Sequence, residues 1–227
     1  MAFRKKINVI IDDTVDVLIL QECEEISKLN IETWAISPTS VYWYGKNTNK
    51  GLAVFTFNGF KIDGSEVQHN ESFVYVIPLI IYKNQFRFLF FAVWTQNTYD
   101  GHYTRQIYNA IGYYKTCLET ELSVIIGDFN SNSIWDKKGR ESNHSNLVLM
   151  LSNIGIESVY HNVYNENQGK ESIPTLYFLR KRERPYHIDY CFVSRSLLSI
   201  INSFEVGNVD DYIAFSDHMP ITTIVNL

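Results

Sequence analysis

Cysteine is scarce, with only Cys23, Cys117 and Cys191 in 227 residues. An odd, widely spaced set gives no disulfide framework, and a reducing compartment is expected. Five prolines and eleven glycines, nowhere clustered, exclude a collagen-like or low-complexity chain and leave no linker to divide it. No stretch approaches the roughly 18 apolar residues that a membrane-spanning helix requires. The short run INVII (7–11) stops at Asp12 and Asp13, whereas a cleavable secretory signal carries a longer apolar stretch. Positive charge is also in deficit, with 20 Lys and Arg against 25 Asp and Glu and a net charge of −5. That balance argues against a partner held by a broad basic surface, such as bulk duplex DNA. It does not exclude a nucleic-acid enzyme, because clustered carboxylates recruit cations that offset them. A soluble, cytoplasmic protein is expected.

What is present suits a packed core. Hydrophobic residues make up 45% and charged residues 20%, an ordinary globular balance. A chain of this length buries a core without staples, and one domain spanning residues 1–227 is expected. Phe3, Ile7, Ile10 and Ile11 recur at helical spacing over the first dozen residues. Residues 16–21, 51–57, 72–82 and 86–94 read as strands, the last two forming a hairpin around Lys-Asn-Gln. Ile107, Ile111, Tyr114 and Leu118 predict a helix of about four turns with Thr104 as N-cap. Residues 122–130 read as a strand and 145–154 as a helix stopped by Gly155. Short strands are predicted near 156–160, 175–179, 188–193 and 221–225. Strands outnumber helices, so mixed sheets covered by helices, in one α/β domain, fit best.

Four apolar runs end in acidic, amide or imidazole side chains: at Glu22, at Asp128 and Asn130, at Asp189, and at Asp217 and His218. A strand that stops at a carboxylate places it at the sheet rim, where rigid scaffolds carry their functional loops. Hard divalent cations take such oxygen ligands, and a nearby histidine serves as acid, base or phosphate donor. Each element alone is weak; their joint order along one chain is not.

Gln-Glu at 21–22, Gly-Asp-Phe-Asn at 127–130, His-Ile-Asp-Tyr at 187–190 and Ser-Asp-His-Met-Pro-Ile at 216–221 resemble the signature blocks of the endonuclease/exonuclease/phosphatase superfamily. Gly-Leu-Ala-Val at 51–54 and Asn97 match two lesser blocks, so the resemblance covers nearly the whole chain. It implies a four-layered α/β sandwich: two mixed, mostly antiparallel sheets face to face, helices outside and the site at one edge. It also implies a bound Mg²⁺, with Mn²⁺ as substitute. By position, Glu22 would bind the metal and Asp128 would orient and deprotonate the attacking water, which Asn130 helps to fix. Asp189 would pair with His218, Asp217 would be a second metal ligand or orient water, and Asn97 would donate to phosphate.

The chain departs from the pattern twice. Members ordinarily have an earlier strand ending in Trp-Asn-x-Asn, and this sequence begins at Met-Ala-Phe-Arg-Lys-Lys, near where the following helix should start. Either the sequence starts after that strand or the strand is lost, and a real loss would leave an unpaired sheet edge and weaken metal binding. Trp94 stands where many members carry His or Tyr beside the phosphate, and an indole can donate a hydrogen bond but not carry a proton. Tyr99, Tyr103 and Arg105 are candidates for a loop over the substrate, balanced by their frequency on ordinary surfaces. The basic run 180–184 reads equally as a solvated loop or an attractor of phosphates. His144 is expected to start a helix and His187 to be a structural residue.

The function expected from all this is metal-dependent hydrolysis of nucleic acid, DNA first, by a monomer with no obligate protein partner. A lipid head group or small phosphoester keeps the chemistry and changes the substrate. Ser131, where inositol-phosphate members carry Arg, disfavours that branch. A binding domain without turnover is the third reading, set against the retained acidic and histidine residues.

Overall fold

The computed structural model describes residues 10–97 and 102–227. Most of the helix expected over the first dozen residues falls outside them. β1 (Val17–Cys23), β2 (Ser40–Asn47) and β3 (Lys50–Thr56) form an antiparallel sheet in the order β1-β3-β2. β4 (Lys61–Asp63), β5 (Val76–Lys83), β6 (Phe86–Trp94), β7 (Ser123–Asp128) and β8 (Ile156–Ser158) belong to a second sheet. β9 (Leu176–Tyr177) and β10 (Pro185–Tyr186) make a small ribbon, and β11 (Asp189–Ser194) enters the second sheet between β7 and β8. β12 (Ile201–Val206) and β13 (Ile221–Val225) form a separate ribbon. In the six-stranded sheet only β6 and β7 run parallel.

The alternation of apolar side chains explains the layering. Along β6, Phe90, Ala92 and Trp94 face the first sheet and pack with Leu52, Val54 and Ile77. Leu89, Phe91 and Val93 point the other way. They meet Ile107 and Ile111 of α1 (Tyr103–Tyr113), Leu118 of α2 (Lys115–Thr120), and Leu147 and Leu151 of α3 (His144–Asn153). The outer face of the first sheet buries Leu20, Ala53 and Phe55 against Leu29 and Trp34, which belong to two short 3₁₀ turns and their flanks. Two sheets lie face to face with helices and turns outside: an α/β sandwich, as the sequence predicts. Each fully buried Phe or Leu in these layers contributes about 1.5–3 kcal/mol. α4 (Val159–Tyr164) covers β11 and β12, and α5 (Val209–Tyr212) precedes the last loop. No helix among the described residues is long and apolar enough to cross a membrane.

Four expectations need correction. The helix of four turns is two helices broken at Tyr114, whose ring packs in the core while its hydroxyl binds Gln68 O and Asn70 N. The residue at its N-cap is His102, and Thr104 lies buried in the first turn. Tyr103 and Arg105 therefore sit on a helix rather than in a loop; Tyr99 lies outside the described residues. The strand expected at 156–160 ends at Ser158, because the Ser158 hydroxyl accepts from His161 N and starts α4.

Candidate active site

β-sheet register assembles the site. Asp128 ends β7 and Asp189 begins β11, and the antiparallel ladder pairs the two directly. Trp94, at the end of β6, pairs with Asp128 from the other side. Residues opposite one another in a ladder project to the same face, so both carboxylates reach the same rim. Gly127 makes this approach possible: its φ is +141°, and a Cβ there would stand 2.0 Å from Val93 O and 2.9 Å from Gln21 Nε2. We expect Gly127→Ala to destabilise the fold by about 3 kcal/mol or more, since backbone has to move. A wild-type midpoint in urea denaturation would contradict this.

Hydrogen bonds then fix each group. Asn130, in the left-handed region at φ 46°, donates its backbone N–H to Asp128 Oδ1 (2.8 Å) and its Nδ2 to Oδ2 (2.6 Å). The same Nδ2 reaches Thr95 O at 3.2 Å, so Asn130 aims the Asp128 carboxyl. Thr175 Oγ1 accepts from both Ile188 N and Asp189 N at 3.0 Å. The loop carrying His218 is latched to β9, with Tyr177 N on Asp217 O at 2.7 Å and Met219 N on Thr175 O at 2.7 Å. His218 Nδ1 lies 3.0 and 3.2 Å from the Asp189 carboxylate oxygens.

The electrostatics follow from this crowding. Burial, and then the neighbouring charge of Asp189, push the Asp128 carboxyl up to about 8, against the opposing pull of His218 and Asn130. Burial disfavours the charged form of His218, but Asp189, Asp128 and Asp217 outweigh it and raise the imidazolium to about 10. One ligand atom from each of Asp128, Asp189 and His218 lies within 4.8 Å of the others. The two carboxylates suit a divalent cation, with His218 beside them as a charged donor held by Asp189, and the reluctance of Asp128 to ionise marks a place short of positive charge.

Glu22, Trp94, Asp128, Asp189, Asp217 and His218 line one cavity of about 750 Å³. Among the described residues β1 pairs with β3 alone and β13 with β12 alone, and residues from both line it. Glu22 sits at a β-bulge with φ 58° and pairs with Lys50 Nζ at 2.7 Å, outside the tight donor set. Both side chains are about half exposed, so the pair is weak. Asn130 stands behind Asp128. Asn97 and Arg105 are exposed and do not line the cavity. Of the basic run, Arg180 reaches the cavity with its guanidinium on Ala214 O and Phe215 O, and Arg182 pairs with Asp210. His144 and His187 are buried structural residues, with His144 on Ser131 Oγ and Gln168 Oε1 and His187 on Ile173 O.

Lys50 and Thr175 escaped the sequence reading, and Ser216, which opens the Ser-Asp-His block, was given no role there although its hydroxyl accepts from His218 N. Lys50 directly precedes the Gly-Leu-Ala-Val block, a usable signal; nothing local marks Thr175.

No family model and no curated protein sequence matches the chain. Solved structures do. A 3′ phosphatase from Neisseria, determined with a product DNA hairpin, superposes with a TM-score of 0.68 at 17% identity, covering 99% of this chain and 94% of the other. An AP endonuclease from Archaeoglobus fulgidus gives 0.69 at 16% identity, over 100% and 96%. The fold is DNase I-like. The endonuclease domain of the TRAS1 retrotransposon shares this DNase I-like fold at 0.62 and 15% identity, over 94% and 87%. At such identities the likeness establishes the fold alone, and the site must speak for the chemistry.

Proposed function

We propose that the chain is a divalent-metal-dependent phosphodiesterase acting on nucleic acid, with DNA as the first substrate to test. The observation that carries this is the convergence of Asp128, Asp189 and His218 at one strand rim within a cavity. The structural relatives support the substrate class, since they are described as a DNA-bound 3′ phosphatase, an AP endonuclease and a retrotransposon endonuclease.

A bound Mg²⁺ or Mn²⁺ would neutralise phosphate oxygens and supply Lewis acidity. The chain's own residues do the rest. Asp128, whose carboxyl titrates near 8 before any cation binds, holds and removes the proton of the attacking water. Asp189 fixes the His218 ring through Nδ1, leaving Nε2 to donate to a phosphate oxygen where negative charge develops. Glu22 and Asp217 extend the metal-binding side of the cavity. Trp94 walls it, and Asn97 and Arg105 meet the substrate beyond its rim.

Purified protein with Mg²⁺ is to be assayed on single-stranded, duplex and abasic DNA, RNA, bis-p-nitrophenyl phosphate and sphingomyelin. Cleavage confined to sphingomyelin, or no metal-dependent cleavage at all, would overturn the reading. Glu22→Gln is expected to raise the Mg²⁺ concentration for half-maximal rate by about tenfold or more. An unchanged metal dependence would remove Glu22 from the site.

A further inference from the structure

Behind the carboxylates lies a buried polar network that the roles above do not use. Asn132 is 2% exposed. Its Nδ2 lies 2.9 Å from His187 O, 3.0 Å from the Tyr190 hydroxyl and 3.1 Å from Glu171 Oε2. Its Oδ1 accepts from Ile134 N at 3.1 Å. The orientation of this amide is forced, because a carbonyl and a carboxylate only accept and the nitrogen must face them. Glu171 is buried too, and is fixed by His161 Nε2 at 3.1 Å and Gly169 N at 2.9 Å. Burial alone would favour its neutral form, yet the hydrogen bonds from His161, Gly169 and Asn132 hold its carboxyl down at about 2, so it stays an anion.

The placement of the acceptors gives the network its meaning. Asn132 follows Asp128 by four residues on the loop leaving β7. His187, just before the neighbouring strand β11, and Tyr190, on it, lie on either side of Asp189 in the chain. One carboxamide therefore clasps the segment carrying one carboxylate to the segment carrying the other, reinforcing the backbone bond from Phe129 N to Ile188 O (3.0 Å). We infer that Asn132, oriented by the Glu171 carboxylate, is a positioning residue that sets the spacing between Asp128 and Asp189. Its catalytic consequence rests on the function proposed above; its hold on the loop does not.

The test separates the two. Asn132→Asp keeps the shape, removes both N–H donors and sets a carboxylate against Glu171; Glu171→Gln in that background returns a donor across one contact. Native-state hydrogen exchange of the Asn132→Asp protein should show the Phe129 amide exchanging about 100-fold faster, while the amides of Ile80 and Leu89 in β5 and β6 change little. Unchanged exchange at Phe129, or equal acceleration everywhere, overturns the hold on the loop. In the assay, kcat should fall about 100-fold with KM within about threefold, as expected for reacting groups displaced by an ångström, and the double variant should recover about tenfold. A folded Asn132→Asp protein with wild-type kcat overturns the catalytic consequence. If wild type and Asp128→Asn are equally inactive on every phosphodiester, the proposed function has failed, and the exchange data still decide the role of Asn132.

Discussion

Asp128→Asn is expected to lower kcat by about 10³-fold or more and, without metal, to gain stability relative to wild type as pH rises. The kinetic loss follows from removing both the proposed general base and one of the three clustered side chains. The stability effect follows from linkage. In the native state burial and Asp189 raise this carboxyl to about 8, from an ordinary value of 3.8. Above pH 3.8 the unfolded chain gives up a proton that the folded chain keeps. The stabilisation tied to that proton is therefore complete below pH 3.8 and erodes steadily as pH rises towards 8. Asparagine never ionises, so the variant escapes the erosion. Between pH 4 and 6.5, before His218 titrates in the unfolded chain, the difference in Tm should move in the variant's favour by several degrees, at about 2–4 °C per kcal/mol. The loss of an acceptor for Asn130 sets the absolute offset but not its pH dependence. Adding Mg²⁺ should raise the Tm of wild type and leave that of the variant in place. A variant with wild-type activity, or with a Tm difference independent of pH, would sink this account of Asp128.

The ends of β1 and β7 were legible in the sequence because an apolar run that stops at Glu22 or Asp128 is a local pattern; Asp189, expected at the end of such a run, instead begins β11. The hairpin of β5 and β6 was legible for the same reason, and Asn84 at φ 53° closes it. β2 and β12 were not. The first six residues of β2 are all half-buried, so its sequence carries no inside–outside alternation to detect. β12 is irregular between Ile201 and Ser203, which breaks the period of two. The break at Tyr114 was hidden because α2 resumes with Leu118 on the same apolar face, and periodicity does not register a change of helix axis.

The pair of Asp189 and His218 was expected from the resemblance and is present. The direct pairing of Asp128 with Asp189 was not, since it comes from a ladder register, and neither was the latch of β9 on the last loop. Asn130 illustrates the gap: expected at water or phosphate, it spends its donors on Asp128 and Thr95. Asn132 lies further out of reach of sequence reasoning, since its partners at 171, 187 and 190 are remote in the chain and individually ordinary.

Asp189→Asn and His218→Gln are each expected to lower kcat by about 10³-fold, and the double variant to be little worse than either. Groups that act as a unit lose their effect together, so the two penalties should not multiply. The geometry makes them a unit: both Asp189 oxygens lie on Nδ1 of a ring whose other nitrogen is the one left for substrate. The pH profile separates this pairing from simple misfolding. Although burial opposes it, Asp189 with Asp128 and Asp217 raises His218 to about 10, so a mechanism that needs the imidazolium loses rate only as pH rises through that region. Asp189→Asn removes the foremost of the raising charges. Its residual activity should therefore fall off at distinctly lower pH, towards the ordinary histidine value of 6.5. A misfolded variant would lose amplitude at every pH and keep the position of the limb. An alkaline limb that stays in place in Asp189→Asn, or penalties that multiply in the double variant, would show that the two residues act separately and that His218 takes its charge from elsewhere in the cluster.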